Sequence, residues 1–239
     1  NLWSKLGGRK NHSPLYERAH KDGIQIATDS PEAFEEIFWE TFDDDSNDRT
    51  ILFKKYVGLI LRKYKKRRYL SKNNQNIRRL ADIHNIFPKA KVLIPFRDPI
   101  QHANSLLLQH KIFTEVQKKD KFTLDYMNWI GHSEFGQSYR PIISSNLKYQ
   151  DNMTLNHWLE QWYLVYKQVT ELSIGQESFS PICYESLCND LQQWKKIKEL
   201  IDIDQSIVFK FTHSKKIIDE DFDEALLKRC SNIYADLSH

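Results

Sequence analysis

The sequence is poor in glycine and cysteine and has no long apolar run. Only seven glycines occur in 239 residues, few for an enzyme that cradles phosphates in glycine-rich loops. The three cysteines, Cys183, Cys188 and Cys230, make neither a CxxC nor a paired framework. This excludes a disulfide scaffold or a thiolate metal site and predicts reduced, buried thiols. No stretch reaches about 18 consecutive apolar residues, so no membrane span is expected, and no membrane partner either. Nine histidines include no HExxH and no HxH, and no metal is expected. Neither sign of charge dominates: 35 Lys and Arg against 32 Asp and Glu leave a formal net charge of +3. That balance gives no reason to expect nucleic acid as a partner. Repeats, low-complexity tracts and a signal peptide are also lacking. The chain opens on Asn1, so a targeting segment or further elements upstream stay open.

What is present is core material. Hydrophobic residues make up 40% and aromatics 13% of the chain, enough for one α/β domain over residues 1–239. Ser30-Pro31-Glu32 has the form of a helix start, a cap followed by proline at the first position, and predicts a helix to about Phe42. A polar turn at 43–48 precedes a helix from Arg49 to about Lys66. The basic run RKYKKRR (62–68) fits a solvated helix end, where cations oppose the dipole. Further on, strands are expected at 68–71, 91–96 and 180–184, with a possible last strand at 205–211. Helices are expected at about 74–86, 99–113, 155–172, 187–201 and 222–237. Strand and helix alternate through short connections, which implies a parallel sheet flanked by helices. Trp158, Leu159, Trp162, Val165, Tyr166 and Val169 recur at helical spacing and read as core. Residues 114–152 are polar-aromatic and read as a substrate-side insertion.

Arg97 and Asp98 stand where the second strand hands over to a helix. Ligands of open α/β sheets sit beyond the carboxyl ends of strands. Asp98 can cap the helix, Pro99 suits its first position, and Arg97 then projects over a helix N-terminus, where an anion is favoured. Ser105, two turns in, reaches such an anion only along the helix flank. A structural Arg97–Asp98 turn with Ser105 exposed is the alternative, and spacing alone leaves both open. Lys72 stands at the end of the preceding expected strand, with Asn73, Asn74, Asn76 and Arg79 close in sequence. Two adjacent strand ends carrying Lys72 and Arg97 would converge on one crevice, a pair suited to phosphate or sulfate.

The stretch YLSKNNQNIRRLADIHNIFPKAKVLIPFRDPIQHANSLL (69–107) resembles the central part of sulfotransferases that use 3′-phosphoadenosine-5′-phosphosulfate. PICYESLCND (181–190) is similar to that family's later strand and Tyr-Glu-x-Leu element. QHANSLLLQHKIF and MNWIGHSEFG (127–136) look most like a bacterial branch. The resemblance covers roughly residues 30–215. It implies a P-loop-NTPase-like sulfotransferase fold and transfer of a sulfuryl group to an acceptor hydroxyl or amine. It also implies that Arg97 and Ser105 hold the nucleotide's 3′-phosphate, that Lys72 lies near the transferred group and that Tyr184 lies near the adenine. Lys215 and Lys216 in FTHSKK match a late basic segment that closes over the 3′-phosphate. The alternative for them is a surface charge run.

Two departures stand beside the likeness. The family's N-terminal phosphate loop is not found: KLGGRKNHS (5–13) has glycines, basic residues and Ser13 but no hydrophobic strand before it. The expectation is a domain truncated at its N-terminus, or a loop lost. Asn74 also stands where the family often has proline. Candidate bases are Glu36, with Glu35 beside it, in the segment where the family often places one, and His132, two residues from Glu134. A solvated helix face and a turn histidine are the respective alternatives. The acceptor is expected to be a small molecule or carbohydrate, the chain cytoplasmic, and a homodimer is allowed. A non-catalytic sulfotransferase-like binding module is the other reading. A phosphate-loop kinase is disfavoured, because no Walker A motif or magnesium-holding acid follows a strand.

Overall fold

A computed structural model describes residues 15–17, 25–27, 34–42, 47–173 and 177–238. The chain is mixed α/β and mostly helical, with a small parallel sheet of two strands flanked by helices. The Ser30-Pro31 start and the 5–13 segment lie outside the described residues. A minimal antiparallel pair, β1 (Tyr16–Glu17) and β2 (Gln25–Ile26), comes first. Helices α1 (Glu35–Thr41) and α2 (Asn47–Tyr64) follow. A 3₁₀ turn at Asn74–Arg79 leads into α3 (Leu80–Ile86).

The sheet pairs β3 (Val92–Phe96) with β4 (Phe179–Cys183) in parallel, in a register that runs from Val92 opposite Phe179 to Phe96 opposite Cys183. Each strand carries a proline, Pro95 and Pro181. Proline cannot donate to a ladder and is confined to edges, and here each strand has an edge without a partner among the described residues. Between the strands run α4 (Pro99–Lys119), α5 (Lys121–Trp129) and α6 (Leu155–Ser173); α7 (Tyr184–Asn189), α8 (Leu191–Leu200) and α9 (Glu224–Ser238) follow β4.

The main core lies where α4, α6 and α9 pack on the sheet. Ile94, Phe96, Ala103, Leu107, Trp158, Trp162 and Cys230 are all buried in it. The aromatic stripe of α6 faces this core, as its spacing predicts. A second cluster joins α1, α2 and α3 through Phe38, Trp39, Phe53, Val57 and Ile86. Guanidinium groups lie over the Trp39 ring from Arg49 and Arg79, at 5.7 and 5.1 Å.

Several expectations are corrected. Residues 68–71 are not a strand. Tyr69 donates its hydroxyl to Glu35 and Asn73 its amide to Glu36, at 2.7 Å each, so side chains rather than a ladder hold this segment. Residues 205–211 form no strand either. Their carbonyls are taken by side chains: the Lys198 ammonium reaches Gln205 O at 2.6 Å and Ile207 O at 3.0 Å. The single helix expected at 187–201 is broken at Asp190, whose carboxylate caps α8 by accepting from Gln192 N at 2.8 Å. Helix α4 runs on to Lys119, so the first turns of the expected 114–152 insertion are helical, with Thr114 and Gln117 buried. All three cysteines are free, but only Cys230 is buried.

Candidate functional site

The carboxyl ends of β3 and β4 lie side by side, so Arg97-Asp98 and Tyr184-Glu185 leave the sheet together. The Arg97 guanidinium lies 5.3 Å from the Tyr184 ring centroid. The Asp98 carboxylate accepts from Gln101 N at 3.0 Å, and Pro99 opens α4, the start its sequence predicts. Glu185 completes the junction. One of its oxygens accepts from Asp98 N at 3.1 Å and the other from the Tyr234 hydroxyl at 3.0 Å.

A third segment closes over these two. Residues 212–217 cross the strand ends as an irregular strap, held mainly through its backbone, with the His213 ring also 2.7 Å from Asn189 Oδ1. The Tyr184 hydroxyl donates to Thr212 O. Arg97 donates to Ser214 O at 2.7 Å. The Gln101 side chain grips Lys216 twice, accepting from its N–H at 2.7 Å and donating to its carbonyl at 3.0 Å. Asn104 donates to Ile217 O at 3.4 Å. Arg97, Tyr184, Lys215 and Lys216 are thereby brought to one place although they span 120 positions of sequence (97 to 216). Both lysines are exposed. Ser105 is half-buried one turn beyond Gln101, on the flank that the strap follows.

One feature makes this place receptive to an anion. The Arg97 Nε is buried without a hydrogen-bond partner among the described residues, an orphaned donor on a cation. His102 stands beside it, its Nδ1 also buried and without a partner among the described residues. Burial, aided by the Arg97 charge, pushes the His102 imidazole down to about 4, so it is neutral near pH 7. His102, Gln101 and Glu185 are not among the residues singled out in the sequence. Their only sequence signal is place: one turn into the helix after Asp98, and the position after Tyr184.

Lys72, Glu36 and His132 belong to a second group. Lys72 does not stand at a strand end; it is exposed on the irregular lead-in to the 3₁₀ turn, and its ammonium donates to Asn74 Oδ1 at 2.9 Å. Glu36 is not on a solvated face. It is 7% exposed, and both oxygens are held by Arg79, at 2.5 and 2.7 Å, while Asn73 donates to one of them at 2.7 Å. Glu35 is buried beside it and accepts from Tyr69 at 2.7 Å and Asn76 at 2.9 Å. The two carboxylates are therefore wired to the turn that follows Lys72. His132 is exposed. Its neighbour Gly131, at φ +71°, sits against Glu36 so closely that an added Cβ would meet Glu36 Cγ at 3.0 Å. The end of α5 thus abuts α1, bringing His132 near Glu36.

Comparison with family models, with curated proteins and with solved structures found no match.

Proposed function

We propose that this chain is a sulfotransferase that takes its sulfuryl group from 3′-phosphoadenosine-5′-phosphosulfate and delivers it to a small-molecule or carbohydrate acceptor. The observation that carries the reading is the meeting of Arg97, Tyr184 and the Lys215-Lys216 strap at the ends of two parallel strands. The resemblance assigns those segments to one nucleotide site, and nothing in their spacing requires them to touch. A ring-and-guanidinium shelf, a buried unpaired Nε and two free-standing lysines suit a base and a phosphate.

Arg97, Ser105, Tyr184, Lys215 and Lys216 would hold the nucleotide, which supplies the sulfuryl group when bound. Lys72 offers a point charge for the oxygen on which negative charge collects. His132, solvent-facing, is the better proton acceptor of the two candidates. Glu36 already has both oxygens on Arg79, and its part is to fix the Asn73 turn and hence Lys72. In this reading the fold is of the sulfotransferase type and the compartment is the cytoplasm.

The test is thermal unfolding of this chain with adenosine 3′,5′-bisphosphate, with 5′-AMP as control. At a hundredfold excess over Kd a ligand adds about 2.7 kcal/mol, a rise of roughly 5–11 °C for a chain of this size. The expected result is a rise with the bisphosphate, none with 5′-AMP, and loss of the rise in Arg97→Ala. Equal responses to the two nucleotides, or none to either, would remove the 3′-phosphate site and the transferase reading with it.

A further inference from the structure

The chain is nearly neutral overall, but its charge is unevenly placed. From Arg49 to Ala81 there is no Asp or Glu, and 12 of the 35 Lys and Arg fall in that stretch. Much of it is displayed on one surface. On α2 the exposed side carries Lys54, Lys55, Arg62 and Lys63, and the chain beyond it adds exposed Lys65, Lys66 and Arg67. None of these seven has an acidic partner within ion-pair distance among the described residues. The only acid on the described exposed side of α2 is Asp48, in its first turn.

Apolar side chains are interleaved with these cations. Ile51 is 49% exposed, Leu59 67%, Tyr64 55% and Leu70 91%. The opposite side of α2, with Phe53 and Val57, is already buried in the α1–α3 cluster, so these four are not spare core residues. Tyr64 and Leu70 also border an apolar cleft of about 250 Å³, with Lys66 and Arg68 on its rim. Arg68 fixes that rim by donating to Asp202 O at 2.7 Å and to Ile201 O.

Charge complementarity calls for an extended anionic surface. The protruding aliphatic groups select among such surfaces, because a phosphate backbone or an acidic glycan presents no apolar layer to Leu59 and Leu70 without being distorted. A bilayer with anionic lipid has both a negative headgroup layer and acyl chains beneath it. We propose that the exposed side of α2 and residues 65–70 form a docking surface for anionic membranes, on which the protein lies peripherally. No helix of the described residues is long and apolar enough to cross a membrane, and docking of this kind needs none. The proposal is independent of the transferase reading.

The test is co-sedimentation with vesicles of phosphatidylcholine alone and with about 30 mol % phosphatidylserine. Binding is expected only to the anionic vesicles, and to weaken severalfold or more as salt is raised from about 0.05 to 0.5 M. Two variants separate the contributions, each checked for an unchanged melting curve. Lys55→Glu/Lys63→Glu/Arg67→Glu should lower vesicle binding about tenfold or more, and so should Leu59→Ser/Leu70→Ser. Equal binding to both vesicle types, or to neither, overturns the proposal through the unsubstituted chain alone. Binding to heparin and to a DNA duplex as tight as to vesicles, with no loss in Leu59→Ser/Leu70→Ser, overturns it in favour of a general polyanion site.

Discussion

Three histidines are held neutral by what surrounds them. His110 Nδ1 accepts from Gly136 N at 3.2 Å, and its ring packs between Tyr139 and Trp158. His157 Nδ1 lies 2.7 Å from Tyr149 O and so must donate, which leaves Nε2 to accept from the Tyr139 hydroxyl at 2.7 Å. Burial lowers the pKa of both, and that of His102 to about 4. The unfolded chain, whose histidines titrate near 6.5, binds more protons than the folded one between these values. Stability is therefore full above pH ~6.5 and falls as pH drops towards 4, by up to about 3 kcal/mol from His102 alone. Urea unfolding at pH 7.5, 6 and 5 should show a falling midpoint, and a His102→Asn variant a shallower fall. Gly136 is the sharpest steric constraint nearby. At φ +85° an added Cβ would lie 2.1 Å from Gln117 Oε1, and that buried amide is itself bound to Gln137 N at 2.6 Å. Gly136→Ala should cost about 2–4 kcal/mol in the same unfolding measurement.

At the scale of elements, the strap is held mainly by side chains that read its backbone. Its course depends on Gln101, Asn104, Arg97 and Tyr184, and its own sequence adds the His213 ring, 2.7 Å from Asn189 Oδ1. Gln101→Ala removes two of these bonds, at about 0.5–1.5 kcal/mol each. Limited proteolysis should then cut within 212–217 about tenfold faster, with global unfolding little changed. This dependence also explains what the sequence disclosed and what it hid. Helices α4 and α6 were legible because a cap, a proline and an apolar stripe are local signals. So was Arg97 at a strand end. The position of the strap was not legible, since amide-to-backbone bonds leave no pattern in the segment they hold. The false strands at 68–71 and 205–211 fail through partners outside them: the Tyr69 side chain is drawn to Glu35, and the Lys198 ammonium takes the carbonyls of Gln205 and Ile207. The place of Glu36 in the sequence suggests a candidate base, whereas its partner Arg79 lies 43 residues on (36 to 79) and only the fold joins them.

Across the whole molecule, the two apolar clusters divide the labour. The sheet, α4, α6 and α9 build a rigid floor under the Arg97–Tyr184 junction, while α1, α2 and α3 form a smaller aromatic unit that carries Glu35, Glu36 and the turn after Lys72. The β3–β4 ladder adds a requirement in time. Its partners stand 87 positions apart (Val92 and Phe179). At a synthesis rate of about 5–20 residues per second, β3 leaves the ribosome roughly 4–17 s before β4 exists. Throughout that interval Val92–Phe96 is an apolar strand in search of a neighbour. Val92 N–H faces the β4 side, so Pro95, three residues on, lies on the opposite edge and denies a donor to a foreign strand there. The proline in β3 thus guards one edge of the newborn strand, and the edge that waits for β4 stays open until β4 arrives.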